Sequence, residues 1–312
     1  MAMALPEVFR RNITESYPGR GAAWLEGLLE RIRKYETRWK VRAGEPFSLS
    51  YSYCAPAVMA DGREAVLKLA VPSVDFTQQV KALRFFNGHG MARMWAGNAR
   101  EGAMLLERLR PGKTLAEEVS DDDEATRIIA RVLQAMWVPV ADNPGFKTFA
   151  YWGRNFRRIR TKFAGRECPL SWRVVDWTKE MLADLLSSSG EQMLLHGDMH
   201  HENVLSVQDD ELGWRAIDPF GIVGEREIDV GAMLRNPYLK PPVDMAMQKQ
   251  MARRLDIFRE MLGFDLQRMR AWAGVYCAVS AWWTLSVGSD GWQLDAELAG
   301  YFMDTPSPWP SP

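Results

Sequence analysis

The stretch that decides the fold is HGDMHHENVLSVQDDELGWRAIDPFG, residues 196–221. It opens with three of the chain's four histidines, an Asp, a Glu and an Asn, and then turns apolar. NVLSV and WRAID read as two strands joined by the polar turn QDDELG. A hairpin brings its two ends together, so Asn203, entering the first strand, and Asp218, leaving the second, become neighbours. Asp198 lies on the loop just before them. Two chemistries compete for this pattern. Histidines four apart on a helix bind zinc in HExxH. His196 and His200 have that spacing, but Gly197 stands between them, the segment lies between strands, and no Glu stands where HExxH needs one. An amide beside a carboxylate instead makes an oxygen pocket of the kind Mg²⁺ takes while sharing its shell with phosphates. Asp198 is then left to orient a substrate hydroxyl and accept its proton.

The bulk numbers leave room for this. With 312 residues the chain can bury a large core in two lobes. A net charge of −1 speaks against a nucleic-acid partner, and the thirteen Trp are not interleaved with Lys and Arg. Cys54, Cys168 and Cys277 are odd in number and far apart, which points to a reduced, cytoplasmic setting. The first residues carry too short an apolar run for a signal peptide. Ala271 to Ser289 carries no charge but contains Ser, Thr, Gly and four aromatics, so it reads as a buried helix and not a membrane span.

Working outward, the first third is strand-rich and the rest helical. Trp24, Leu25, Leu28, Leu29 and Ile32 fall at helical spacing, predicting one amphipathic helix over 22–39. Residues 47–71 predict two strands around the turn Asp61-Gly62, with Pro72 stopping the second. A helix over 75–86 ends at Asn87-Gly88, and GAMLLER (102–108) is a further strand. SDDDEATRIIARVLQAMW (120–137) reads as a helix with Ser120 as its N-cap and acidic residues matched to the helix dipole. More helices are expected at 149–163, 173–187, 228–236, 243–262 and 265–288, and the Pro-rich tail TPSPWPSP is extended. The expected division is 1–107 as N-terminal lobe, 108–304 as helical C-terminal lobe and 305–312 as tail, an α+β chain. Asp290, Asp295 and Glu297 read as solubilising charges on a loop, with attraction of a cationic sugar as the alternative.

HGDMHHEN followed by IDPFG resembles the catalytic and metal motifs of aminoglycoside phosphotransferases, and the HxDxxxxN and DFG motifs of protein kinases. IDPFGIVGEREIDVGAMLRNP narrows this: it resembles the aminoglycoside 6-phosphotransferase (streptomycin 6-kinase) and hydroxyurea phosphotransferase family. SYPGRGAAWLEGLLERI, DGREAVLKLAVP, ALRFFNGHGMARMWA and GAMLLERLRPGKTL look like that family's other segments in order, covering about residues 17–290. The resemblance implies a bilobal protein-kinase-like fold and an ATP- and Mg²⁺-dependent small-molecule kinase. It implies Asp198 as catalytic base, Asn203 and Asp218 as metal ligands, and Lys68 on the α- and β-phosphates. Adenine would bond the connector backbone around Leu106 to Leu109, so Glu107 and Leu109 are named as cofactor-binding. Asp229 resembles the helix Asp that takes backbone hydrogen bonds from the catalytic loop.

Two positions depart from the pattern. The Glu expected to hold the strand lysine is Gln79 here, which can hydrogen-bond but supplies no charge. The phosphate-covering loop, SLSYSYCAP, has no glycine, so Ser48, Ser50 and Ser52 would supply hydroxyls and amides, or the segment is an ordinary strand. The acceptor implied is a hydroxyl of a streptomycin-like aminoglycoside or of hydroxyurea. The competing readings are a nucleotide-binding pseudokinase, raised by Gln79, a metabolic kinase of a sugar or amino alcohol, and a metallohydrolase using the histidines.

Overall fold

The computed structural model describes residues 5–304 except 157, 209, 238, 239, 287 and 289, and only the backbone of Asn155. The expected tail at 305–312 lies outside the described residues. The chain divides into two units after Gly112, not after Glu107.

In the first unit, α1 (Glu7–Ser16), α2 (Gly21–Glu26) and α3 (Leu28–Trp39) precede β1 (Val41–Ala43), β2 (Tyr53–Met59), β3 (Glu64–Leu69), α4 (Val74–Phe86), β4 (Met94–Asn98) and β5 (Ala103–Glu107). The strands form one antiparallel sheet in the order β1-β2-β3-β5-β4. The single helix expected over 22–39 is two helices, broken at Gly27, which ends one and starts the next. Residue 27 sits in a helical apolar pattern, and a lone glycine is the weakest link in such a run. Trp24, Leu28, Ile32 and Tyr35 nonetheless share one apolar cluster with Phe9 and Ile13 of α1. That cluster covers the face of the sheet carrying Ala65, Leu67 and Leu69. Each such fully buried large side chain is worth about 1.5–3 kcal/mol. Strand period two then turns Lys68 to the opposite face.

The hairpin turn forms as expected, with Met59 N–H donating to Arg63 O and Gly62 at φ 86°. The first predicted strand starts later than expected: residues 47–52 form bends, and only Tyr53 onward is paired.

The second unit holds β6 (Pro111–Thr114), α5 (Leu115–Glu118), α6 (Asp122–Met136), β7 (Val138–Pro139), β8 (Lys147–Thr148), α7 (Phe149–Phe156), α8 (Ile159–Lys162) and α9 (Trp172–Ser187). The first of these strands begins two residues before the division. After them come β9 (Met193–Leu195), a 3₁₀ turn (His201–Asn203), β10 (Val204–Val207), β11 (Trp214–Ala216) and β12 (Ile222–Gly224). The chain closes with α10 (Ile228–Leu234), α11 (Met245–Leu262), α12 (Leu266–Ser286) and α13 (Trp292–Asp304).

Helix α12 is the hub, packed by α9, α10, α11 and α13 and buried from Met269 to Trp282. This is the uncharged segment expected to be a core helix. Among the described residues no helix is long and apolar enough to cross a membrane. The cap of α6 is Asp121 and not Ser120, because the Asp121 carboxylate accepts from Glu124 N–H at 2.8 Å. Helix α13 occupies the region read as a charged loop, so Asp295 is helical and buried at 1% exposure.

One buried cation fixes the segment after α10. The fully buried Arg254 of α11 donates to Asp122 through Nε at 3.0 Å, and through Nη1 to the carbonyls of Met233 (3.1 Å) and Asn236. It thereby satisfies the open C-terminal carbonyls of α10.

Candidate active site

β9 delivers the chain into the HGD loop, and β10 and β11 form the hairpin beyond it, with Val204 opposite Ala216. Ile217 N–H donates to Asn203 O at 2.9 Å, so Asn203 lies across from the residue preceding Asp218. The hairpin therefore places the two residues read from the sequence at neighbouring strand ends. Asp218 sits at φ 56°, a left-handed conformation unusual for a residue other than glycine, and such outliers concentrate at functional sites.

The loop is tied from inside. Gly197 is at φ 81°, and a Cβ there would lie 3.2 Å from both Phe220 and Ile222, so glycine is required. Asp229 of α10, fully buried, accepts from Gly197 N–H (2.7 Å), His196 N–H (3.1 Å) and Trp137 Nε1–H (3.0 Å). Burial raises its pKa against these donors and against His196, all of which favour the carboxylate. Tyr276 of α12 donates its hydroxyl to Gly197 O at 3.0 Å. His196 O accepts from Phe220 and Gly221 N–H, binding the HGD loop to the IDPFG segment.

The histidines are framework. His196 Nε2 donates to Ile217 O at 2.7 Å, and its Nδ1 accepts from Asp198 N–H at 3.2 Å, which assigns the tautomer. Burial pushes its pKa down, past the opposing pull of Asp229 and Asp198. With both ring nitrogens engaged it has no lone pair for a metal. His200 caps the 3₁₀ turn, its Nδ1 accepting from Glu202 N–H, and its Nε2 lies 3.7 Å from Asp198 Oδ2. Among the described residues no three His, Cys, Asp or Glu side chains cluster to hold a metal ion.

Asn203 Nδ2 donates to Asp198 O at 2.9 Å and stands 3.0 Å from His200 Nε2. That fixes the amide so that Oδ1 is the atom left for a ligand. With the Asp218 carboxylate this is an all-oxygen donor pair, the chemistry a Mg²⁺–phosphate complex takes. Asp198 is held below the usual carboxylate range: burial raises its pKa, but His200, His196 and Arg235 together outweigh it. It is ionised at neutral pH and acts first as a hydrogen-bond acceptor.

In the first unit, Lys68 is 5% exposed at the centre of the sheet, opposite Cys54 and Met104. Burying an ammonium this deeply is costly unless a negative partner meets it. Ser50 and Ser52 lie on the bend segment before β2, where Ser50 O accepts from Asn12 Nδ2. Gln79 is half-buried on α4, and its side chain makes no hydrogen bond among the described residues, so the expected bond to Lys68 is not formed. The neighbouring Gln78 has a buried Oε1 with no donor among the described residues. Glu107 N–H is committed to Arg93 O at 2.8 Å, and its carboxylate accepts from Arg93 N–H. Buried Leu109 N–H makes no backbone bond among the described residues.

Sequence reasoning missed Tyr276, Trp137 and Glu225. Glu225 is buried, accepting from Arg268 Nε at 2.6 Å, from Gly190 N–H at 3.1 Å and from Trp272 Nε1–H. It stood in the quoted GER segment, a signal that carried no assigned role.

His201 gives the site a measurable pH signature. Burial, with Arg254 nearby, pulls its pKa from 6.5 to about 3. Below pH 6.5 the unfolded chain takes a proton that the folded chain refuses, so folding stability falls as pH drops toward 3. The slope attributable to this group is about 1.4 kcal/mol per pH unit. Urea unfolding of wild type and His201→Gln is expected to give profiles that diverge by that slope below pH 6.5. Parallel profiles would contradict the assignment.

A loop that presents one ionised Asp, followed by an Asn and an Asp whose side-chain oxygens could hold a metal, in a mixed helix–sheet fold, is an arrangement suited to kinase-type phosphoryl transfer. The comparisons agree. A family model described as "Aminoglycoside/hydroxyurea antibiotic resistance kinase" matches residues 38–288. The chain belongs to that family. It is 30% identical over 287 residues to streptomycin 6-kinase of Streptomyces glaucescens, covering 91% of this chain and 92% of that one. It is 30% identical over 254 residues to hydroxyurea phosphotransferase of Kitasatospora aureofaciens, covering 81% of this chain and 72% of that one. Among solved structures, aminoglycoside phosphotransferase APH(4)-Ia in ternary complex with ADP and hygromycin B superposes with a TM-score of 0.63 at 14% identity, covering 87% and 97% of the two chains. That likeness establishes the fold.

Proposed function

We propose that this chain transfers the γ-phosphoryl group of ATP to a hydroxyl of a streptomycin-like aminoglycoside or of hydroxyurea, inactivating the compound. The observation that carries this reading is the HGD loop, with Asp198 ionised and its backbone carbonyl pinned by Asn203, whose Oδ1 is thereby left for a ligand beside Asp218. Family membership supports the acceptor class, and the ADP complex of a structural neighbour supports the nucleotide.

In this reading Asp198 orients the acceptor hydroxyl and takes its proton as the O–P bond forms. Asn203 and Asp218 hold Mg²⁺, which neutralises charge on the phosphates when bound. Lys68 contacts the α- and β-phosphates, and Ser50 and Ser52 supply hydroxyls and amides over them. Leu109 N–H and the Glu107 carbonyl bond the adenine, and Gln79 stands where a charged partner for Lys68 would be. Catalysis is mostly positioning and charge neutralisation.

An ATP-consumption assay with Mg²⁺ against streptomycin, other aminoglycosides, hydroxyurea and simple sugars tests this. Acceptor-dependent ADP formation with streptomycin or hydroxyurea is expected. ATP binding with no turnover on any acceptor would instead mark the pseudokinase that Gln79 raises.

A further inference from the structure

The Asp229 carboxylate that holds the HGD loop has donors of two kinds. His196 N–H and Gly197 N–H belong to the loop itself, whereas Trp137 Nε1–H reaches Oδ2 from another element at 3.0 Å. Trp137 closes α6, where its backbone N–H donates to Leu133 O. Its indole is tilted at 42° against buried Phe264, with ring centroids 5.7 Å apart. The exposed Arg226 lies over both rings, its Cζ 5.8 Å from the Trp137 centroid and 5.5 Å from that of Phe264. Both distances fall within cation–π range. The guanidinium makes no hydrogen bond or ion pair among the described residues, so the two rings are what it meets.

Arg226 and Asp229 are one turn apart at the start of α10, with Asp229 N–H donating to Arg226 O at 3.2 Å. Residues three apart lie on one side of a helix. That turn therefore grips a single indole twice, Arg226 on the ring face and Asp229 on the N–H. An indole that swung away would leave Asp229 Oδ2 with the His196 N–H alone.

We propose that Trp137 is a positioning residue of the catalytic loop, acting through Asp229, and that Arg226 of the GER segment fixes the indole that does so. The proposal rests on the reading of Asp198 as the base that this loop aims. Arg226 then belongs to the framework and not to the phosphates or the acceptor. The ionised carboxylate is acceptor-only and takes all three bonds, whereas the protonated acid turns one oxygen into a donor. Burial opposes the ionised form of Asp229 and its donors favour it. The titratable groups that face it are His196 from the loop and Tyr276 from α12, while Arg254 of α11 meets the far end of α10 at Met233 O. Deleting the indole N–H therefore raises the pH at which the carboxylate takes a proton and loosens its hold on the loop.

Trp137→Phe keeps a ring against Phe264 and removes the N–H. Steady-state kinetics of the full chain across pH is expected to show kcat lowered by about tenfold near neutrality, KM for ATP and acceptor within about twofold, and the acid limb of kcat moved up by about one pH unit. A plain fold defect would lower activity without moving that limb. Arg226→Ala, at an exposed position, is expected to lower kcat by about threefold with an unchanged melting temperature, to move the acid limb the same way by less, and to add nothing in the Trp137→Phe background. Hydrogen exchange of the Gly197 amide, read by NMR, needs no turnover and is expected to be about tenfold faster in Trp137→Phe. An unmoved acid limb with unchanged Gly197 exchange overturns the proposal. Equal effects of Arg226→Ala in both backgrounds overturn the part given to Arg226. Should Trp137→Phe fail to fold, Arg226→Ala carries the test, and a wild-type acid limb and Gly197 exchange in it overturn the proposal. Faster Gly197 exchange in the variants of a protein that turns nothing over supports the positioning contact and contradicts the phosphotransferase reading. Turnover that neither substitution alters overturns the contact and leaves the phosphotransferase standing.

Discussion

Asp198→Asn is expected to lower turnover by about 10²–10⁴-fold while ATP affinity and melting temperature stay close to wild type. The side chain is ionised and its partner is the His200 ring, 3.7 Å away, whereas the loop backbone is fixed through the Asp198 carbonyl, its N–H and the residues on either side. An amide keeps the size and can still accept a hydrogen bond. It cannot take the acceptor's proton. Steady-state kinetics beside a thermal melt checks both halves. A Tm drop of many degrees would mean that the carboxylate is structural, and unchanged turnover would mean that the base lies elsewhere.

Asp229→Ala is expected to do the reverse, costing about 3–5 kcal/mol of folding stability and activity with it. Three buried N–H donors, on His196, Gly197 and Trp137, lose their acceptor at once, and each unsatisfied donor costs about 1–3 kcal/mol, less than additively when neighbours relax together. Two of those donors set the backbone that aims Asp198, so the residual activity of the folded fraction falls as well. Urea unfolding measures the first effect. A loss under about 1 kcal/mol would show that Tyr276 and the β9 pairing fix the loop without Asp229.

These two residues mark how far the sequence could be read. That Asn203 and Asp218 fall at neighbouring ends of one hairpin, with Asp198 on the loop before it, was legible because hairpin geometry follows from local alternation and a turn. The burial of Lys68 in a strand was legible from the apolar residues on both sides of it. The supports were not. Tyr276 reaches Gly197 across 79 residues, and Trp137 reaches Asp229 across 92, contacts that only the packed fold creates. Asp295 read as a loop charge because an isolated carboxylate near a glycine-rich turn usually is one. Its pairing with Arg235 spans 60 residues and reverses that reading. The break at Gly27 was hidden because a helix tolerates one glycine. Gln79 was placed by register with Lys68 in mind, but the bond depends on a side-chain rotamer, which no pattern encodes.

The most direct measurement is the fate of the γ-phosphoryl group. The full chain is incubated with Mg²⁺, streptomycin and ATP labelled with ¹⁸O in its γ-phosphoryl oxygens, and the products are resolved by mass spectrometry, with hydroxyurea as the parallel acceptor. The account predicts that the label arrives intact as a phosphate ester on an acceptor hydroxyl, with one ADP formed per ester, and that Asp198→Asn forms this ester about 10²–10⁴-fold more slowly. Label found only in inorganic phosphate, with both acceptors unmodified, would contradict it.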